Sequence, residues 1–392
     1  MIAAGPFASV SAQRIGPAPK RPRIESADTN DARAYFDYGL RNMRDKPSAA
    51  ADAFYWAARI EPGMADALYG RRVALLMSDD GQLRRFMSGN IRNPNKKDLH
   101  LDSLMLRSVM LSPLLLRRFE LPLMQGFILK EISGGFSPSE RPSDLELNSE
   151  IERYLREGGP EMRGAMAYAR SDFKNALSHY AAAMKGAKET ARLRIERGRI
   201  FGIQGQPDSA VAEFQLALTE LRKKDAKEVV VLYNSKAVVE QAIGMMLEQK
   251  EDVAGAREAY GRALQEDLAY WPAHTSLGML AAAVNDTATA LSEFALAMEI
   301  ASDESYVHAL TGSALVNLGR PAEAIAPLKK AIALEPYYAL PHIALGKLYE
   351  GTKAWGEAIA SYEGFLTRAG RNDPQRAFAE ERLAALKGRL LQ

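Results

Sequence analysis

The chain contains no cysteine among its 392 residues. It therefore has no disulfide framework, no thiol nucleophile and no cysteine-ligated zinc or iron–sulfur site. Because reducing and oxidising compartments both accept such a chain, cysteine usage does not assign a compartment.

An excess of charge of one sign is also missing, since 51 basic residues face 49 acidic ones. No global field attracts the chain to nucleic acid or anionic lipid, so we expect neither as a partner. The charge-free stretch from Ser108 to Leu116 contains Pro113 and is far shorter than the roughly 20 apolar residues of a membrane span. We expect no transmembrane helix. The 47% hydrophobic content is ample for a large core.

The N-terminal residues allow two interpretations. Residues 1–13 are small and apolar and resemble the back half of a secretory signal peptide, but a basic region and most of a hydrophobic region are missing. The resemblance favours export to the periplasm of a bacterium. The alternative is a disordered leader on a cytoplasmic protein. The basic stretch 17–23 is expected to be a solvated linker, with a nuclear-import patch as the alternative.

Glycine and alanine recur with a fixed period in the C-terminal part of the chain. Four glycines from Gly244 onward follow one another at a step of thirty-four positions, and Gly164 to Gly198 repeats that step. An alanine follows each glycine by twelve residues, and a large apolar residue follows each alanine by four. The glycines are Gly164, Gly198, Gly244, Gly278, Gly312 and Gly346. Small residues at this spacing let two helices approach closely, so each repeat predicts a helix pair and the class is all-α.

The motifs Leu345-Gly346-x-x-Tyr349 and Ala358-x-x-x-Tyr362 resemble those of the tetratricopeptide-repeat (TPR) family. The resemblance covers six repeats between Glu157 and Arg371. It implies a right-handed helical solenoid, an α-α superhelix, whose concave surface binds other proteins without catalysis.

The repeats suggest a division of the chain. We expect a leader at 1–30, an N-terminal helical subdomain with one TPR-like unit at 31–133, a linker at 134–146, a six-repeat solenoid at 147–372 and a capping helix at 373–392. Twelve extra residues around 219–230 indicate a longer turn, or else a helix extended towards a partner.

Three histidines, His274, His308 and His342, recur at the same step as the glycines. Equivalent positions lie on helix axes some 8–10 Å apart or more, too far for a shared ion, so we expect packing and not a metal site. Phosphate-loop, zinc-protease and nucleophile-elbow motifs are absent. We therefore predict a non-enzyme without cofactor or metal.

The TPR resemblance assigns the concave surface to positions two, five, nine and thirteen of each repeat. The lysine and asparagine that grip a terminal carboxylate in some family members are missing, and the positions are mostly small and apolar. The side chains expected to contact a partner are Arg192, Arg199, Val238, Gln241, Met245, Thr275, Met279, Tyr306, Ser313, Asn317, Leu340, Ile343 and Lys347.

These residues predict a protein-interaction scaffold, an adaptor that binds an apolar or amphipathic peptide or helix. The alternative for the groove is packing against the chain's own neighbouring segments. Another functional class is a structural subunit of a larger cell-envelope or secretion assembly, held through the methionine-rich stretch between Met64 and Met124, which would otherwise be core filler. An unrecognised enzyme is the third.

Overall fold

The computed structural model describes residues 18–24, 28–87, 94–116, 118–133, 149, 153, 157–223 and 235–390. All regular elements in these ranges are helices, nineteen in number, so the predicted all-α class is confirmed. None of these helices is long and apolar enough to cross a membrane. The predicted linker at 134–146 and the leader residues 1–17 lie outside the described residues.

Among the described residues, six helices with defined bounds precede the repeats. They are α1 (Ala32–Asn42), α2 (Pro47–Ile60), α3 (Ala65–Ser78), α4 (Asp80–Met87), α5 (Lys96–Leu111) and α6 (Glu120–Ser133). The TPR-like unit expected before residue 62 corresponds to α1 and α2, whose Phe36 and Phe54 rings meet edge to face with centroids 5.4 Å apart.

Twelve helices form six successive pairs, and one more follows them. The pairs are α7 (Gly159–Ala169) with α8 (Phe173–Met184), α9 (Ala191–Ile203) with α10 (Pro207–Lys223), α11 (Lys236–Gln249) with α12 (Val253–Glu266), α13 (Trp271–Ala283) with α14 (Thr287–Ile300), α15 (Ser305–Asn317) with α16 (Pro321–Leu334), and α17 (Leu340–Gly351) with α18 (Trp355–Arg368). The last helix is α19 (Arg376–Leu390). Within the described ranges α10 is the longest helix at 17 residues, and the rest of the 219–230 lengthening lies outside them.

The turn inside each pair has the same backbone conformation in all six repeats. One residue per turn is left-handed, with φ between 58° and 70°, and these residues are Ser171, Gly205, Glu251, Asn285, Gly319 and Lys353. A left-handed residue ends a helix by turning the chain away from its axis. In three repeats the second helix then starts with a side-chain cap, from Asp172, Asp286 or, through Gly255, Asp252.

The periodic glycine of each repeat makes room for the large residue sixteen positions later. A Cβ atom on any of the six glycines would lie closer than 3.0 Å to a side-chain atom of that residue. These large residues are Tyr180, Phe214, Tyr260, Phe294, Leu328 and Tyr362. They also join neighbouring pairs, because Phe294 and Leu328 belong to one buried cluster together with Leu345 of the next repeat.

The chain divides into two compact units. Within the described residues, unit A comprises Gly39–Asp52 and Leu68–Glu266, and unit B comprises Met1–Tyr38, Ala53–Ala67 and Asp267–Gln392. Unit A holds the first three repeats, and unit B holds the last three together with α19. In unit B, Ala379 and Leu386 of α19 pack on Tyr362 and Phe365 of the last repeat.

The glycine spacing can be tested within one repeat. Gly244→Ala should lower the free energy of unfolding by about 1–3 kcal/mol, because the Tyr260 ring must move. Gly261→Ala, where an added Cβ meets no atom within 4 Å, should be neutral or stabilising by up to about 1 kcal/mol through helix propensity. Urea denaturation compares the two variants, and equal losses would contradict this account of the helix pair.

Candidate peptide-binding cleft

The predicted groove residues differ widely in exposure. Five are buried, four are half-buried and four are exposed. The buried ones are Arg199, Val238, Gln241, Thr275 and Ile343. The half-buried ones are Met245, Tyr306, Ser313 and Leu340, and the exposed ones are Arg192, Met279, Asn317 and Lys347. The burial arises in part from segments of the chain itself.

In unit A, the short segment after α5 lies against the first helices of the second and third repeats. The Nε atom of Arg199 donates a 3.0 Å hydrogen bond to the carbonyl oxygen of Pro113. Leu114 contacts Gly202 and packs against the cluster that contains Met246. Leu116 packs beside Tyr168 in the first repeat. Residues 113–116 therefore cover part of the surface that the sequence assigns to a partner.

The positive charge of Arg199 is neutralised by an ion pair within unit A. Its guanidinium lies 3.2 Å from a carboxylate oxygen of Glu196, and both side chains are at most 3% exposed. Arg192, about two helical turns earlier, instead pairs with Glu161 at the surface, where both side chains are about half exposed. Of the two arginines, Arg192 is the one accessible to a partner.

In unit B, the turn between α2 and α3 covers Tyr306. A Cβ atom on Gly63 would lie 2.7 Å from the Tyr306 ring, so the glycine permits the contact. Beside it, the carboxylate of Glu335 accepts two 2.9 Å hydrogen bonds from the Nε atom of Arg59. Sequence reasoning did not find these contacts, because their partners lie far apart along the chain.

A cleft of about 440 Å³ remains in unit A at the first repeat. We call it the methionine cleft. It is lined by Phe86, Met87, Leu123, Met124, Gly158, Glu161, Met162, Ala165, Met166, Tyr180 and Arg192. Helices α4 and α6 supply one wall, α7 supplies the other, and the Glu161–Arg192 ion pair lies at the rim. Among the predicted residues it contains Arg192. The methionine-rich pattern between Met64 and Met124 was the sequence signal for the wall formed by α4 and α6.

Two of the three periodic histidines are buried between helices. His274 and His308 are buried, and the Nε2 atom of each lies 3.1 Å from the carbonyl oxygen six residues earlier, that of Leu268 or Ser302. His274 also lies 2.7 Å from Glu293. No group of three or more potential metal ligands occurs in the part of the chain that the structure describes.

Six helix pairs share one register of glycine, alanine, large side chain and left-handed turn, and their first helices carry most of the residues predicted to contact a partner. The chain has the fold of a tetratricopeptide-repeat solenoid. No protein-family profile matches this chain, and no curated protein sequence does.

Several solved structures are similar to this chain. The crystal structure of MamA is 19% identical and covers 44% of this chain and 94% of that chain, with a TM-score of 0.37. The match to the APC/C hetero-tetramer Cut9-Hcn1 has 15% sequence identity and covers 90% of this chain and 76% of that chain, with a TM-score of 0.44. The match to a tetratricopeptide repeat protein from Parabacteroides merdae has 12% sequence identity and covers 62% of this chain and 92% of that chain, with a TM-score of 0.42. Likeness at this level does not identify a partner or a pathway.

Replacing Arg199 or Arg192 by alanine should lower the stability of the protein by different amounts. Arg199→Ala leaves the buried Glu196 without its guanidinium and should cost about 3–5 kcal/mol of stability. Arg192→Ala removes an exposed ion pair and should cost less than about 1 kcal/mol. Chemical denaturation measures both losses. Similar small losses of stability in the two variants would show that the buried Arg199–Glu196 pair does not stabilise the fold.

Stability should fall in acid through two histidines. Burial, with help from nearby arginines, lowers the pKa of His100 and of His342 to about 4, against about 6.5 in an unfolded chain. Between these values the unfolded chain binds more protons, so stability is lost as the pH falls from 6.5 towards 4. Thermal unfolding at pH 7 and pH 5 should show a smaller drop for His100→Gln and His342→Gln than for the wild type. His179→Gln, on the second helix of the first repeat, is the comparison, and an equal drop in all four proteins would contradict the assignment.

Proposed function

We propose that this TPR protein is a non-catalytic interaction scaffold that binds an apolar or amphipathic helix of a partner protein in the methionine cleft. The observation that carries the proposal is the cleft itself. It lies on the first helix of a repeat, where the TPR fold presents its concave face, and Met87 at its edge is 38% exposed. A methionine-lined cleft suits a helical ligand because unbranched thioether side chains adapt to different apolar shapes.

The rim of the cleft selects the polar edge of the ligand. Arg192 and Glu161 are paired at the surface, and either can exchange its partner for a group on the ligand at little cost. A helix with an apolar stripe and an acidic residue at one edge would engage Arg192. The proposed ligand lies at the first repeat, whereas the sequence-based hypothesis extended it over the middle repeats. Contact with the exposed Met279, Asn317 and Lys347 of unit B stays a prediction.

The second candidate function is a structural subunit held in a larger assembly through the methionine-rich region. One observation favours it, because Phe86, Met87, Leu123 and Met124 of that region form a wall of the same cleft. The two functions therefore share a surface and differ in whether the partner is permanent. Co-purification at fixed stoichiometry through high-salt gel filtration would favour the assembly subunit.

Photo-crosslinking from position 87 tests the cleft. With a benzoylphenylalanine at Met87 in the native cell, we expect an adduct to one protein, through a segment with an amphipathic helical pattern. The same probe at Leu216, which is 50% exposed on α10 and outside the cleft, should yield no such adduct. Adducts of the same pattern at both positions would mean that the cleft has no specific ligand.

A charge in the cleft should remove the ligand without unfolding the chain. Met162→Glu, placed on a half-buried lining residue, should weaken the binding of the identified segment at least tenfold, and Leu216→Glu should leave it unchanged. Circular dichroism checks that both variants are folded. Ile343→Glu is unsuitable for this purpose, because Ile343 is only 1% exposed and the substitution would bury a charge. Undiminished binding by Met162→Glu would exclude the cleft.

A further inference from the structure

The basic segment near the N-terminus is ordered against aromatic side chains of unit B. Residues 18–24 form no helix or strand, and the Nε1 atom of Trp56 donates a 3.1 Å hydrogen bond to the carbonyl oxygen of Pro19. The guanidinium carbon of Arg21 lies 5.1 Å, 4.9 Å and 5.6 Å from the ring centres of Tyr35, Trp56 and Tyr337. Arg21 also donates to the carbonyl oxygen of Thr29. The expectation of a solvated linker is therefore wrong for this part of the segment.

We call Tyr35, Trp56 and Tyr337 the aromatic cradle. Its residues come from α1, from α2 and from the loop between α16 and α17. The Trp56 and Tyr337 rings meet edge to face, with centroids 5.2 Å apart. The bidentate Arg59–Glu335 pair lies beside them, with the Arg59 guanidinium 5.1 Å from the Tyr337 ring centre. None of these contacts involves residues 18–24.

With the segment in place, Tyr35 and Trp56 are only 1% and 6% exposed. The Arg21 guanidinium and the Pro19 carbonyl group contact the cradle, while Lys20 and Arg23 are exposed. Tyr337 is itself 38% exposed with the segment in place. An extended proline-containing segment has little conformational entropy to lose and leaves its carbonyl groups free, so aromatic surfaces with a hydrogen-bond donor bind such segments readily.

We propose that the aromatic cradle is a docking site for an extended Pro-x-Arg segment of a partner protein, and that the chain's own residues 18–24 occupy this site until the partner replaces them. The occupant is defined by the chemistry seen in the structure. An arginine stacks on the three rings, and the carbonyl group of a proline two residues earlier accepts from Trp56. Loss of the segment without replacement would expose a tryptophan and two tyrosines, the residue types that dominate binding at protein interfaces.

The test uses the full chain and a labelled peptide with the sequence of residues 17–24. Arg21→Ala removes the arginine that occupies the cradle, so the peptide should bind this variant at least tenfold more tightly than it binds the wild type. A peptide with alanine in place of its central arginine should bind the variant at least tenfold more weakly. Arg23→Ala is the matched control, because Arg23 is exposed, and it should behave like the wild type. Fluorescence anisotropy measures each affinity.

Several results would overturn the proposal. A folded Arg21→Ala chain that does not bind the peptide would make the segment a permanent part of unit B. Equal binding by the Arg21→Ala and Arg23→Ala chains would show that the effect comes from net charge alone.

Trypsin should cut after Lys20 at least tenfold faster in Arg21→Ala than in the wild type, and equal rates would show that the segment is not held. A wild-type dimer, detected by light scattering and lost in Arg21→Ala, would make a second copy of the chain the occupant.

Discussion

The close contact between one glycine and one large side chain is what the rest of this protein depends on. In each repeat the glycine leaves room for a large residue sixteen positions later, which fills the gap between the two helices. Phe294 and Leu328 also share a buried cluster with Leu345 of a following repeat. Because protein interiors are densely packed, an extra methyl group at that point displaces a ring and, with it, the contact to the neighbouring repeat. The left-handed turn residue closes the pair at the same register each time.

Polar groups between the helices are stabilised by arginine. Glu240 is 1% exposed, and it lies 2.7 Å from Arg222 and 3.0 Å from Arg262. Glu196 and Glu335 are likewise buried beside Arg199 and Arg59. A buried carboxylate is costly unless a guanidinium and hydrogen bonds compensate for its lost hydration. Such pairs select one arrangement of helices, and they explain why an arginine at a concave position need not be available to a partner.

Segments of the chain itself cover part of the surface that the sequence predicts to bind a partner. Residues 113–116 lie on the repeats of unit A, and Gly63 lies on Tyr306 of unit B. Exposure of apolar surface to water is unfavourable, so segments of the same chain that bury this surface stabilise the fold. They also leave less surface on which a partner can bind. The methionine cleft is where such coverage leaves a lined cavity, and the aromatic cradle is where the proposed exchange of the covering segment for a partner takes place. Both proposals concern what lies on the repeats and not the repeats themselves.

The sequence by itself determined the helix pairs and their register, because small and large residues at a constant period leave one way to bury the apolar faces. Periodicity also predicted that Arg192 contacts a partner, and in the structure Arg192 lines the methionine cleft. Only the tertiary structure decided that Arg199 is balanced inside the chain, that α4 and α6 face α7, and that Arg21 stacks on Tyr337. Those contacts join residues that are distant in the sequence and belong to segments without a repeat, so no local spacing encodes which surfaces meet.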